Sequence, residues 1–213
     1  MVPVCDRFLL ISIMQAFLLE QLVGSTDIYL LDQILKGRYR RNEVLLDAGC
    51  GNGRNLHWFL LHEIQCLGID NDPEALIELK SFYPSMPSEN IIEADLQALP
   101  FPDRYFDHVI SSAVLHFAKN YQHFDLMFAE LLRVLRTGGS LFIRMTSDIG
   151  IEKKVNLVAD GVYNIPDGST RFLLTKQILA NLTRQHPVKL LEPLKTVNVN
   201  DERCMSTLVF QRV

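Results

Sequence analysis

The chain lacks any surplus of basic charge: 21 Lys and Arg stand against 25 Asp and Glu over 213 residues, a formal net charge of −4. Affinity built on neutralising many phosphates needs a broad excess of cations, so DNA and large RNA are not expected partners. Cysteines are few (Cys5, Cys50, Cys66, Cys204), widely spaced and without a CxxC pair. That argues against a zinc site or a small disulfide scaffold and fits a reducing, cytoplasmic setting. The apolar run FLLISIMQAFLL at 8–19 is too short to span a bilayer, so no membrane insertion is expected. Only Arg7, offset by Asp6, precedes it. We therefore read it as a helix packing on the domain, or on a second copy in a homodimer, in preference to a secretory signal ending near VGS at 23–25. No repeat, low-complexity tract or linker is visible. What remains is an ordinary globular composition, 48% apolar and 22% charged, long enough for one α/β domain to bury roughly 70% of its unfolded surface.

From residue 43 onward, β-rich runs alternate with helical patterns, the arrangement that builds a parallel sheet with helices on both faces. Strands are predicted over 43–48, 65–70, 90–94, 106–112 and 139–145. Helices are predicted over about 54–62, from Pro73 onward, and over about 123–135, the last ended by Gly138 and Gly139. Upstream, Ser25 or Thr26 is expected to cap a helix through Leu35, followed by a basic exit at 36–41 that reads as a solvated helix end. Downstream, a helix over 175–184 precedes strands near 189–199 and 205–213. The turn NDER at 200–203 is too short for a crossover, so those strands must pair antiparallel. The stretch 146–172 is long for a connection and is expected to act as a lid or acceptor-binding loop, with Tyr163 and Phe172 closing over a small substrate, or else as another packing layer.

The most informative segment is VLLDAGCGNGRN at 44–55: strand, glycine-rich turn, helix. A dinucleotide fingerprint GxGxxG needs glycine at 54, where Arg54 stands, which disfavours a nicotinamide-dependent oxidoreductase. Glycines at 49, 51 and 53 let main chain approach a ligand closely. Asp47 beneath them suits an ammonium or sulfonium better than a pyrophosphate. Asp70 ends the second strand at the distance where a carboxylate reaches ribose hydroxyls. Asp95 follows the third strand, where it can accept from an exocyclic amine such as adenine's. Each residue also has a plain structural use: the glycines in a tight turn, Asp70 as a cap for the helix at Pro73, Asp95 in a turn before Pro100. Their position at successive strand ends on one sheet edge favours a cationic nucleoside.

DAGCGNG (47–53), GIDND (68–72), EADLQALPF (93–101), FDHVISSAVLHF (106–117) and LLRVLRTGG (131–139) resemble, in order and spacing, the motifs of class I S-adenosylmethionine-dependent methyltransferases. The resemblance spans about half the chain. It implies a Rossmann-like α/β sandwich with a seven-stranded, mostly parallel sheet of order 3-2-1-4-5-7-6, strand 7 antiparallel. It implies N-terminal helices over 1–42 packing on the core and covering the site, and an S-adenosylmethionine-binding methyltransferase domain over 43–213. It further implies that Asp47, Gly49, Gly51 and Gly53 line the methionine portion, that Asp70 holds the ribose, and that Asp95 with the Leu96 amide reads adenine. Cys50, Asn71, Ser111 and Ser112 complete the expected cofactor-binding set. CGNGRN followed by ISSAVLHF, with RFLLTKQIL at 171–179, is most similar to the small tellurite-resistance type.

The expected activity is methyl transfer to a small acceptor, a metabolite or a chalcogen oxyanion, by in-line displacement. Holding the reacting atoms near each other is the enzyme's main task, and no acid or base is obligatory. A hydroxyl or protonated amine would need a base, for which His116 is the first candidate; packing beside Leu115 and Phe117 is the preferred reading of that residue. Cys50 has no cationic neighbour in sequence to activate it. The Asn/Asp-Pro-Pro-aromatic motif of base-amino methylation is replaced by SSAV at 111–114. A protein or RNA acceptor, and a noncatalytic nucleoside-binding partner subunit, remain the alternatives.

Overall fold

The structure is a computed structural model and describes residues 17–213. Its main sheet is built on apolar runs buried on both faces, as parallel strands under two helical layers must be. These are β1 (Val44–Ala48), β2 (Gln65–Asp70), β3 (Ile91–Glu93), β4 (Phe106–Ser112) and β5 (Leu135–Ser147). Neighbours run β3-β2-β1-β4-β5, all parallel. β11 (Arg203–Arg212) then pairs antiparallel with β5, and both β9 (Val188–Leu190) and β10 (Lys195–Val199) pair antiparallel with β11. The order matches the expected 3-2-1-4-5-7-6 with its sixth strand split in two. Pro193, between the pieces, has no N–H to continue a ladder. The β10–β11 turn places Asn200 and Asp201 at φ 53° and 57°, a left-handed pair of residue types that tolerate it.

Helices cover both faces. α1 (Ile28–Leu35), α2 (His57–Leu61) and α3 (Pro73–Phe82) bury Leu30, Phe59 and Leu79 against Leu45, Ile110 and Phe142. α4 (Tyr121–Val134) and α5 (Lys176–Gln185) bury Phe124, Phe128, Leu131 and Leu182 against Leu46, Val109 and Leu141 on the other face.

Several expected boundaries shift. The α1 cap is Asp27, whose Oδ1 accepts from Tyr29 N at 2.9 Å, and not Ser25 or Thr26. α2 begins only at His57, because Arg54 and Asn55 bond the N-terminal segment instead: Arg54 O accepts from Thr26 Oγ1 at 3.4 Å and Asn55 Oδ1 from Asp27 N at 3.1 Å. α4 ends at Val134, so Gly138 and Gly139 do not terminate it. Gly139 instead lets β5 close on β4: a Cβ there would lie 2.6 Å from the Asp107 carbonyl oxygen.

The stretch 146–172 is not an open loop. It holds the three-stranded antiparallel sheet β6 (Asn156–Ala159), β7 (Val162–Asn164) and β8 (Thr170–Phe172). Phe172 is buried there and stacks on Phe124 with centroids 4.7 Å apart, so it belongs to the core and closes over nothing; Tyr163 is half-buried on β7. Residues 8–16 of the apolar N-terminal run lie outside the described residues. Residues 17–23 are helical with Phe17, Leu18, Leu19 and Leu22 exposed, and the segment meets α2 where Gln21 O lies 2.9 Å from His57 Nε2. No described helix is long and apolar enough to cross a membrane.

Candidate cofactor site

The carboxyl ends of β1, β2, β3 and β4 open into a cavity of about 500 Å³. The turn after β1 holds Gly49, Gly51 and Gly53 at φ 81°, 52° and 84°, where side chains are disfavoured. Each glycine answers to a different neighbour. A Cβ on Gly49 would sit 2.3 Å from Val114 Cγ2, and one on Gly53 would sit 2.2 Å from Leu79 Cδ1 on α3. Around Gly51 nothing lies within 4 Å, so it presents bare main chain to the cavity.

Asp70 fixes that turn. Its Oδ2 accepts from Gly51 N at 2.7 Å, and its Oδ1 from Asp72 N at 3.0 Å, while Gly49 N and Cys50 N both donate to Ile69 O at 2.8 Å. Asp72, not Asp70, caps α3. Ala94 N donates to Asp70 O at 3.0 Å, which brings Asp95 alongside. Asp95 Oδ1 accepts from Gln97 N at 2.9 Å, forming the short turn below the cavity rim.

Eight expected residues line the cavity: Gly49, Cys50, Gly51 and Asp70, then Asn71, Asp95, Leu96 and Ser112. Three do not. Gly53 packs on α3, Ser111 is wholly buried, and Asp47 lies beneath the glycine turn with no exposure. Neither Asp47 oxygen has a hydrogen-bond partner; burial pushes its carboxyl up to about 8, with Asp70 adding to the rise and the Arg54 cation opposing it. A positive charge brought near this unpaired acid would lower it again.

Arg54, Val114, Phe117 and His123 also line the cavity and were not foreseen as site residues. Arg54 stands next to the glycines in sequence, at the position where a dinucleotide fingerprint carries glycine. Ala113, another lining residue, holds φ 64° at the end of β4 and donates to Arg144 O at 2.7 Å, a left-handed non-glycine conformation that no sequence pattern marks. None of the described residues 17–42 lines the cavity, but Asp27 backs its wall through Ser112 Oγ at 3.5 Å.

His116 and Cys50 lack the chemistry of a base and a nucleophile. His116 is buried, its Nδ1 accepts from Thr146 N at 3.4 Å, and burial with the Arg171 and Arg203 charges lowers it to about 4. The Cys50 thiol is pushed far up by burial and by Asp47 and Asp70, which keeps it protonated and unreactive.

The sheet order, the glycine turn and acidic groups on one cavity define the fold of class I S-adenosylmethionine-dependent methyltransferases. Residues 46–143, which carry most of the cavity, match the methyltransferase domain family, and S-adenosylmethionine is the cofactor of that class. Over 99 residues the chain is 34% identical to phthiotriol/phenolphthiotriol dimycocerosates methyltransferase of Mycobacterium leprae, covering 46% of this chain and 35% of that one. An S-adenosylmethionine-dependent methyltransferase of Methanosarcina mazei superposes with TM-score 0.70 at 17% identity, covering 84% of this chain and 97% of that one. The 1,6-didemethyltoxoflavin-N1-methyltransferase of Burkholderia thailandensis, solved with S-adenosylhomocysteine, gives TM-score 0.66 at 17% identity over 90% of this chain and 79% of that one. The chain spans about half or less of the length of the curated relatives it matches. The residues present fit the cofactor: Gly51 offers an open main-chain cradle, and Asp70 and Asp95 line the same cavity from the next two strand ends.

Proposed function

We propose that the protein is an S-adenosylmethionine-dependent methyltransferase acting on a small-molecule acceptor. The observation that carries this reading is that the Gly51 main chain, Asp70 and Asp95 face one cavity from successive strand ends. When bound, the cofactor supplies a methyl group on a sulfonium, which an acceptor nucleophile takes by in-line displacement. Asp70 would hold the ribose hydroxyls and Asp95 with the Leu96 amide the adenine, leaving Gly49 and Gly51 at the methionine end with Asp47 buried beneath them. His116 is neutral and off the cavity and so supplies no base there, whereas His123 lines the cavity with its Nδ1 accepting from Lys119 N at 3.0 Å; an acceptor that is already nucleophilic, such as a thiolate or an oxyanion, needs neither. Within the class we infer the small tellurite-resistance type from CGNGRN and ISSAVLHF, which points to a metabolite or chalcogen oxyanion and a cytoplasmic site of action.

Calorimetric titration with S-adenosylhomocysteine tests the reading. Saturable binding is expected, weakened at least ~10-fold in Asp70→Ala through loss of charge-assisted hydrogen bonds. A folded sample that binds neither S-adenosylhomocysteine nor S-adenosylmethionine overturns it.

A further inference from the structure

Two arginines at and behind the cavity wall have no part in the reading above. Arg144 stands on β5 opposite Ser112 of β4. Its Nη1 lies 2.6 Å from Asp27 Oδ2, its guanidinium covers the Tyr29 ring at 5.0 Å, and its buried Nε has no hydrogen-bond partner among the described residues. Arg54, on the cavity wall, directs Nη2 toward the same Asp27 Oδ2 at 3.9 Å and toward Ser112 Oγ at 3.4 Å. Two guanidiniums thus converge on one fully buried carboxylate, and one positive charge is left over.

Among the described residues, Asp27 is the only carboxylate within salt-bridge distance of either guanidinium. Asp70 and Asp95 lie on β2 and after β3, on the far side of β1 from β4 and β5. A guanidinium keeps its charge in a partly dry wall and presents a planar fork that matches a carboxylate or a trigonal oxyanion. An excess of such forks beside Ser112 is therefore a selective feature for a substrate of negative charge.

We propose that the methyl acceptor carries a carboxylate or another oxyanion, bound beside Ser112 by Arg144 and Arg54, with Asp27 holding the two guanidiniums in place. The proposal rests on the methyltransferase reading and narrows its acceptor to anions. Arg54 and Arg144 act as binding residues, and Asp27 is a positioning residue.

The test is calorimetric titration of benzoate and of selenite into the full chain saturated with S-adenosylhomocysteine. Both probes should bind saturably, and Arg144→Gln should weaken them at least ~10-fold through the lost charge-assisted bonds. Arg144→Lys should restore part of the loss, and S-adenosylhomocysteine affinity should stay within ~2-fold of wild type in both, since Asp70 and Asp95 lie across β1 from Arg144. If Arg144→Gln does not fold, the double variant Asp27→Asn, Arg144→Gln removes both charges together and serves in its place. Binding of neither probe, or unweakened binding by the variant, overturns the proposal while leaving the methyltransferase reading standing. A ~10-fold loss of S-adenosylhomocysteine affinity in Arg144→Gln, with 5′-methylthioadenosine affinity unchanged, assigns the cations to the cofactor's own carboxylate and also overturns it. Absence of S-adenosylhomocysteine binding to wild type overturns both.

Discussion

The three glycines after β1 should separate stability from binding when each is replaced by alanine. All three hold positive φ, and an L-residue in that region costs about 1–2 kcal/mol. At Gly51 that is nearly the whole penalty, because nothing lies within 4 Å of the new methyl. The methyl would, however, project over the cavity where bare main chain is now presented, so the main effect should be lost cofactor binding. At Gly49 the methyl would meet Val114 Cγ2 at 2.3 Å, Cγ1 at 2.9 Å and Cβ at 3.1 Å, an overlap that no single Val114 rotation clears. Overpacking of this kind adds roughly 1–3 kcal/mol, giving about 2–5 kcal/mol in total. At ~2–4 °C per kcal/mol for a domain of this size, Tm should fall by roughly 4–20 °C. Gly53→Ala should lie between, because the Leu79 Cδ1 that it meets at 2.2 Å is the end of a flexible side chain. Thermal melts followed by circular dichroism, paired with S-adenosylhomocysteine titration, give both readouts. If Gly51→Ala melts as low as Gly49→Ala, or if Gly49→Ala leaves the melt unmoved, the assignment of separate neighbours is wrong.

Asp47 should make stability fall as pH rises. Its native carboxyl sits at about 8, well above the ~3.9 of an unfolded aspartate, so its favourable contribution is complete below ~4 and lost as pH climbs toward 8. Asp47→Asn should therefore raise Tm at pH 8 and gain little at pH 4; an equal gain at both, by calorimetry, would refute this. His116 is expected to stay neutral from pH 5 to 8, so His116→Gln should keep the wild-type shape of the pH–rate profile, and disappearance of a limb near pH 6.5 would restore the base assignment. Phe172→Ala should destabilise by about 3–5 kcal/mol in urea melts, as a buried aromatic does. A stable variant with only a raised KM would return Phe172 to a lid.

The parallel strands were legible because short β-rich runs alternate with helical patterns, and a run such as FDHVISS buries every position although it carries Asp107, His108 and two serines. Asp70 was legible as a site residue, although its bond to Gly51 N was not, since the two are 19 residues apart. The α1 cap was missed because Ser25, Thr26 and Asp27 are all competent caps, and tertiary contacts with Asn55 and Arg144 select the third. The small sheet at 156–172 leaves no strand signal in the sequence, because β6 is exposed at every position and shows no alternation. Asp47 looked like a cavity residue because a strand end predicts only the edge, not the depth at which a side chain stops. Arg144 gave no signal, being a single charge within the apolar strand GSLFIRM.

Asp27 sits 19 residues ahead of the segment recognisable by family, yet it is the counter-ion of Arg144 and the start of a helix. A fragment trimmed to residues 46–143 would strip that counter-ion from Arg54 and exclude both Arg144 and β11. The minimal working unit of this protein is thus wider than its diagnostic motif. Truncations, fusions and chimeras designed around the motif alone would sever an electrostatic tie from residue 27 to residue 144, which reaches across more than half of the chain.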